Sequence, residues 1–218
     1  MYKITLIAGA RPNFMKIAPI IHALEKARQL VGLRYRLVHT GQHYDKNMSE
    51  SFFEQLSIPQ PNINLECSGG SQAEQTASIL LAFEKELKAN PADLVLVVGD
   101  VTSTMACALV AKKLNTKVAH VEGGIRSGDM TMPEEINRIV TDSIADYFFT
   151  TSELANQNLK AEGIKECQLF LVGNTMIDTL LKNRSRFLKP KIWEDLGLKS
   201  KDYLVLTMHR PANVDAEQ

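Results

Sequence analysis

Leu94-Val95-Leu96-Val97-Val98-Gly99-Asp100 is the stretch on which the reading of this chain turns. Five consecutive Leu and Val residues leave no polar position for a solvated face. A strand here must be covered on both sides, as in a parallel sheet with helices on each face. Working outward, short apolar runs of the same kind recur at Ile4–Ala8, Leu33–His39, Val118–Val121, Tyr147–Thr150, Leu169–Val172 and Tyr203–Thr207. Between them the spacing turns helical. Ile17, Ile20, Ile21 and Leu24 form one stripe, Ile79, Leu80, Phe83 and Leu87 another, and Ile136, Ile139, Val140 and Ile144 have the spacing of a buried helix face. Alternating strands and helices predict a doubly wound α/β fold on a parallel sheet, whose ligands bind outside the carboxyl ends of the strands.

Composition narrows the function classes. Lys+Arg and Asp+Glu are both 25, for a formal net charge of zero. That balance offers no basic footprint for nucleic acid and no attraction to an anionic membrane. At 44% hydrophobic and 23% charged the chain reads as globular rather than disordered. Its 218 residues suit one domain with room for part of a second. Cys67, Cys107 and Cys167 are widely spaced and form no Cys-x-x-Cys pair, which argues against a disulfide framework or a structural zinc and fits a reducing, cytoplasmic setting. No run reaches the roughly 18 apolar residues of a membrane span.

The end of the chain predicts an unfinished unit. A helix around Met176–Leu188 closes a first domain over residues 1–188, and a charged connector spans 189–202. Tyr203–Thr207 then reads as the first strand of a second, truncated domain at 203–218.

Familiar cofactor fingerprints are missing. The first strand runs into Gly9-Ala10-Arg11-Pro12-Asn13-Phe14 rather than Gly-x-Gly-x-x-Gly, and the second ends without an acid at its tip, so a nicotinamide dinucleotide is not indicated. His120-Val121-Glu122 lacks the Pro-Cys-x-x-Cys of a zinc deaminase. No cofactor and no metal are expected. Polar residues at strand ends remain. Gly9 can let backbone approach a ligand, with Arg11 and Lys16 holding anionic oxygens beside a helix N-terminus; a plain turn with a solvated lysine fits as well. Asp100 is placed either as a site acid or as the N-cap of the next helix. Glu122, followed by Gly123 and Gly124, falls on the same rim. Thr131-Met132-Pro133-Glu134 reads as a capping box, Glu134 can pair with Arg138, and Glu134 can equally serve the site.

Taken in order, GARPNFMKIAP (9–19), TGQHYD (40–45), GDVTST (99–104), HVEGGIRSGD (120–129), MPEEINR (132–138), VGNTMID (172–178) and the segment from Thr207 through His209-Arg210 to Asp215 resemble the non-hydrolysing UDP-N-acetylglucosamine 2-epimerase family. The resemblance covers essentially the whole chain. It implies the first of two Rossmann-like domains that face each other in a GT-B architecture, and a homodimer in the full-length protein. The implied reaction interconverts UDP-GlcNAc and UDP-ManNAc by anti elimination of UDP and re-addition through a 2-acetamidoglucal. The implied roles are Asp100, Glu122 and Glu134 as catalytic carboxylates, with His209 opposite them, and Arg11, Lys16 and Arg210 near the diphosphate. Gln42 and His43 are implied as a regulatory pair. Asn13 stands where many relatives carry Glu. Other classes compatible with the motifs are a hydrolysing epimerase that releases ManNAc and UDP, a glycosyl transferase, and, for a chain of this length alone, a nucleotide-sugar-binding domain without turnover.

Overall fold

The structure is a computed structural model and describes residues 1–41 and 53–208. In chain order the main elements are β1 (Tyr2–Ala8), α1 (Arg11–Val31), β2 (Leu33–His39), β3 (Ile63–Asn64), α2 (Gln72–Ala89), β4 (Leu94–Val98), α3 (Thr102–Lys113), β5 (Lys117–Val121), α4 (Pro133–Ile144), β6 (Tyr147–Thr150), α5 (Glu153–Ala161), β7 (Leu169–Leu171) and α6 (Thr175–Asn183). All strand pairs are parallel, in the order β3-β2-β1-β4-β5-β6-β7. This is the doubly wound, Rossmann-like sheet expected from the apolar runs.

The continuous run at β4 has the reason proposed for it. Leu96 and Val98 face one layer, where Phe14, Ile17 and Ile21 of α1 pack. Val95 and Val97 face the other, against Ile79 and Phe83 of α2 and Cys107 of α3. Both faces are therefore dry, and a polar residue at any of these four positions would lose its water. The first two helical stripes are seated as expected: Ile17, Ile21, Ile79, Phe83 and Leu87 are buried.

The chain leaves β1 toward β2 and β3, then returns to the other side of β1 at β4. The strand order reverses between β1 and β4, and the crevice outside their carboxyl ends is where this architecture receives ligands.

Three expectations fail. The stripe on α4 is not the buried face: Ile136 is exposed, and Ile139, Val140 and Ile144 are half-buried. The buried side carries Glu135, Asn137, Thr141 and Asp142. Apolar spacing misleads here because each buried polar group has a hydrogen-bond partner, which removes the usual penalty for burying it. Asn137 and Asp142 bond to residues at the ends of β4 and β5, Glu135 to the loop before the helix, and Thr141 to the Asn137 carbonyl. Helix α6 ends at Asn183 and is followed by a short 3-10 turn at Arg184–Arg186, not by more helix to Leu188. Finally, residues 203–208 form no strand, and Leu204 is 98% exposed. A strand needs a neighbour to satisfy its backbone groups, and none of the described residues supplies one.

The chain divides into two compact units, Met1–Lys182 and Asn183–Gln218. The second contains a short helix at Ile192–Asp195 and an edge-on contact between Trp193 and Tyr203 with ring centroids 5.8 Å apart. No helix among the described residues is long and apolar enough to cross a membrane.

Candidate active site

The β1–α1 turn is built around Asn13. Its Oδ1 accepts from the backbone N–H of Gly9 (3.0 Å) and Ala10 (2.9 Å), and its Nδ2 donates to the Val98 carbonyl at 3.1 Å. One buried amide thus locks the first turn to the end of β4, across the point where strand order reverses. An amide supplies both the acceptor and the donor this position needs. Lys16, one turn into α1, places its Nζ 2.5 Å from Glu122 Oε2 at the end of β5. Gly99, at φ 73°, passes close to this pair: a Cβ there would stand 3.0 Å from Lys16 Nζ and 3.5 Å from Glu122 Oε2. Glycine is required for both the conformation and the space.

Glu122 itself has φ 70°, in the left-handed region that side chains other than glycine seldom occupy. Strain of this kind persists only where the surroundings over-determine it, and it clusters at functional positions. The surroundings here are explicit. Glu122 N–H donates to the Phe149 carbonyl at 2.9 Å. Gly124 N–H donates to Asp142 Oδ2 at 2.9 Å, and the Gly124 carbonyl accepts from Asn158 Nδ2 at 2.9 Å.

Helix α4 turns its polar side into this rim. Arg138 donates through Nη2 to Asp100 Oδ2 and through Nη1 to Glu135 Oε2, the latter at 2.8 Å. Asn137 Nδ2 donates to the Asp100 carbonyl at 2.8 Å. The Glu135 carboxylate also accepts from the N–H groups of Ser127 and Gly128 at 3.0 Å, anchoring the loop that leads into α4. Although burial opposes the charge, these backbone donors and Arg138 outweigh it and hold the Glu135 carboxyl down at about 2.

The capping readings are corrected by these contacts. The residue preceding α3 at its N-cap is Val101, with no side-chain cap, so Asp100 is not a cap. The N-cap of α4 is Met132, and Thr131 donates its hydroxyl to Asp129 Oδ1 at 2.6 Å instead of capping. Nor does Glu134 pair with Arg138, which holds Asp100 and Glu135. Glu134 stays exposed in the first turn of α4, without a hydrogen bond or ion pair to any described residue.

Asp100 and Glu122 follow β4 and β5 at the carboxyl-end rim of the sheet, and Lys16 meets Glu122 there. Glu134 lies in the first turn of α4, the helix that reaches Asp100 through Arg138 and Asn137. Gln42, His43, His209 and Arg210 lie outside the described residues, as does the side chain of Arg11. Sequence reasoning missed Glu135, His120 and Asp142 as site-building groups and treated Arg138 only as a helix partner. Their signal was a helix with buried-type spacing that also carried four polar residues, at 135, 137, 141 and 142, next to a glycine pair. Among the described residues no group of His, Cys, Asp and Glu has the arrangement to hold a metal ion. The rim can hold a polar ligand between fixed acids and bases and can move protons to or from it.

A sequence profile of the UDP-N-acetylglucosamine 2-epimerase family matches residues 23–218. The UDP-N-acetylglucosamine 2-epimerase of Methanocaldococcus jannaschii is 43% identical over 99% of this chain, which covers 59% of that protein. The UDP-2,3-diacetamido-2,3-dideoxy-D-glucuronate 2-epimerase of Pseudomonas aeruginosa is 42% identical over 98% of the chain, again covering 59% of its length. The crystal structure of the M. jannaschii UDP-GlcNAc 2-epimerase in complex with UDP-GlcNAc and UDP superposes with a TM-score of 0.87 at 44% identity, over 98% of this chain and 58% of that one. The chain thus spans little more than half the length of these relatives. At 13% identity and a TM-score of 0.51, Acinetobacter baumannii MurG shares the fold alone. The chain belongs to the UDP-N-acetylglucosamine 2-epimerase family.

Proposed function

We propose that this chain forms the sugar-side wall of an enzyme that inverts C2 of a UDP-N-acetylhexosamine, interconverting UDP-GlcNAc and UDP-ManNAc. The observation that carries the reading is the rim itself. Asp100 and Glu122 are held beside Arg138 and Lys16 at the ends of β4 and β5, while Glu134, in the first turn of α4, has no partner among the described residues. Both named relatives act at position 2 of a UDP-sugar, which is the chemistry such a rim suits.

The C2–H bond is not acidic, so the C1–O bond to UDP must break with positive charge building on the sugar, which nearby carboxylates stabilise. One carboxylate takes the C2 proton as UDP leaves, giving the C1=C2 double bond of 2-acetamidoglucal. UDP oxygen then re-adds to C1 while a second acid delivers a proton to the opposite face of C2. Inversion needs proton handling on both faces, hence more than one acid. Lys16 and Arg11, with His209 and Arg210 from the segment beyond Thr207, are assigned to the diphosphate. Gln42 and His43 are assigned to regulation. No cofactor enters this scheme.

The decisive experiment incubates the full-length enzyme with UDP-GlcNAc in deuterated water. Deuterium at C2 in both epimers, without free sugar, supports reversible elimination. Free ManNAc identifies the hydrolysing reaction instead, and absence of both overturns the reading. We further propose that the full-length protein pairs as a homodimer, supported by the exposed apolar side of α4, where Ile136 lines a groove with Leu80 and Met105. A single monomeric species in sedimentation equilibrium overturns that.

A further inference from the structure

We propose that His120 is a positioning residue for this reaction, a buried, doubly protonated imidazole that clamps the Gly99–Asp100 turn to the loop carrying Glu122. The inference rests on the epimerase reading for its kinetic consequence, but not for its structural one.

His120 lies on β5 and is fully buried. Its Nε2 is 2.9 Å from the Gly99 carbonyl and its Nδ1 is 2.6 Å from Asp142 Oδ1. A peptide carbonyl carries no proton, so Nε2 must donate. The other oxygen of Asp142 accepts from the Gly124 N–H and from Arg126 Nη1 at 2.7 Å. These donors together with the imidazole hold its carboxyl below the usual carboxylate range, so Asp142 is ionised and Nδ1 donates as well. The ring holds both protons. The charged groups facing it are Asp142 and Glu122. Arg126 lies beyond Asp142 and is itself paired with Glu162. Burial pushes the imidazole toward neutrality, but the carboxylates and the Gly99 carbonyl outweigh it and raise its pKa, while the same contact lowers that of Asp142.

The clamp acts on both acids. Gly99 N–H donates to the Val121 carbonyl at 3.0 Å while the Gly99 carbonyl accepts from His120, so the residue before Asp100 is tied to β5 in both directions. On the other side, a Cβ at Gly123 would come within 3.2 Å of Asp142 Oδ1 and 3.4 Å of His120 Nδ1. At Gly124 it would meet the Ala155 carbonyl at 2.4 Å. Two successive glycines let the chain fold over the pair, and the left-handed turn begins at Glu122. Being sealed from solvent, His120 does not touch substrate. It works through the placement of Asp100 and Glu122, and a displacement of about 1 Å at such groups costs up to ~100-fold in rate.

The test has two arms. In the 218-residue protein, nitrogen NMR of the His120 ring at neutral pH is expected to show both ring nitrogens protonated, with collapse to a single protonated nitrogen in Asp142→Asn. A neutral ring in the wild-type protein overturns the proposal. In the full-length enzyme, His120→Gln is expected to lower kcat by about 10–100-fold with KM changed less than about threefold. A folded His120→Gln enzyme with wild-type kcat also overturns it. If that variant does not fold, the ring measurement on the wild-type protein still decides. If the enzyme shows no epimerisation at all, the functional reading fails while the doubly protonated clamp stands or falls by NMR.

Discussion

Lys16 and Glu122, 106 positions apart in sequence, meet at 2.5 Å across the carboxyl ends of β1 and β5. The pair joins a cation assigned to the departing diphosphate with an acid assigned to the sugar. Their side chains are 15% and 9% exposed, so solvent screens them little. Removing one partner strands the other, which costs about 3 kcal/mol for a buried pair, whereas removing both costs less than the sum. We therefore expect Lys16→Met and Glu122→Gln each to lower the urea midpoint, and the double variant to be more stable than additivity allows. Strict additivity in that cycle shows that the contact carries no coupling.

Glu135 gives a pH signature. Its carboxyl is held at about 2 in the folded protein, against an ordinary 4.5. A depressed folded value means the stabilising contribution is complete above about pH 4.5 and is lost as pH falls toward 2. Urea unfolding of wild type and Glu135→Gln should differ most above pH 4.5, and the difference should shrink steadily on acidification. A gap that stays constant down to the acid limit contradicts the anchoring of the Ser127–Gly128 loop by an ionised Glu135.

The adjacent acid should behave in the opposite way. Glu134 has no partner to lose among the described residues, so Glu134→Gln is expected to leave the melting temperature within about a degree while cutting turnover by about 10²–10⁴-fold. Asp100→Asn and Glu122→Gln should show losses of the same order. Solvent deuterium entering C2 at the wild-type rate in all three variants removes the carboxylate assignment.

How far the sequence speaks is visible at two helices. At α2, Ile79, Phe83 and Leu87 are apolar, periodic and buried, because their partners are equally apolar and no detailed geometry is needed. At α4 the same periodicity marks a face that is exposed at Ile136 and only half-buried at Ile139, Val140 and Ile144. The helix orientation is set by Asp142 meeting His120, Glu135 meeting the Ser127 and Gly128 amides, and Arg138 meeting Asp100. Asp100 and His120 become neighbours of this helix only after the sheet has formed, so the polar residues at 135, 137, 141 and 142 signal a polar face without naming its partners. Thr131 and Glu134 fail for a local reason instead: the capping-box spacing is present, but the Thr131 hydroxyl donates to Asp129, two residues back, and Met132 is the N-cap. Asp100 and Glu122 were legible as rim acids because strand ends can be read from apolar runs. Lys16 was legible as a rim cation too, but its pairing with Glu122, and that of Arg138 with Asp100, was not.

The last expectation concerns the chain by itself. It covers 58–59% of the relatives' length, and a nucleotide-sugar is normally gripped from most sides, with the bulk of its surface removed from water. The described rim offers Lys16 and Arg138 as cations, and both are already engaged, with Glu122 and with Asp100 and Glu135. A diphosphate arriving at this wall must compete with those carboxylates. Orientation is equally short of support, since an open rim leaves the sugar free to turn and forfeits the advantage of a fixed reacting geometry. We expect the 218-residue protein to bind UDP-GlcNAc no more tightly than about millimolar, roughly −4 kcal/mol, and to exchange no deuterium at C2. Titration calorimetry with UDP and UDP-GlcNAc measures the first and proton NMR in deuterated water the second. Micromolar affinity, or any exchange at C2, makes these residues a complete functional unit.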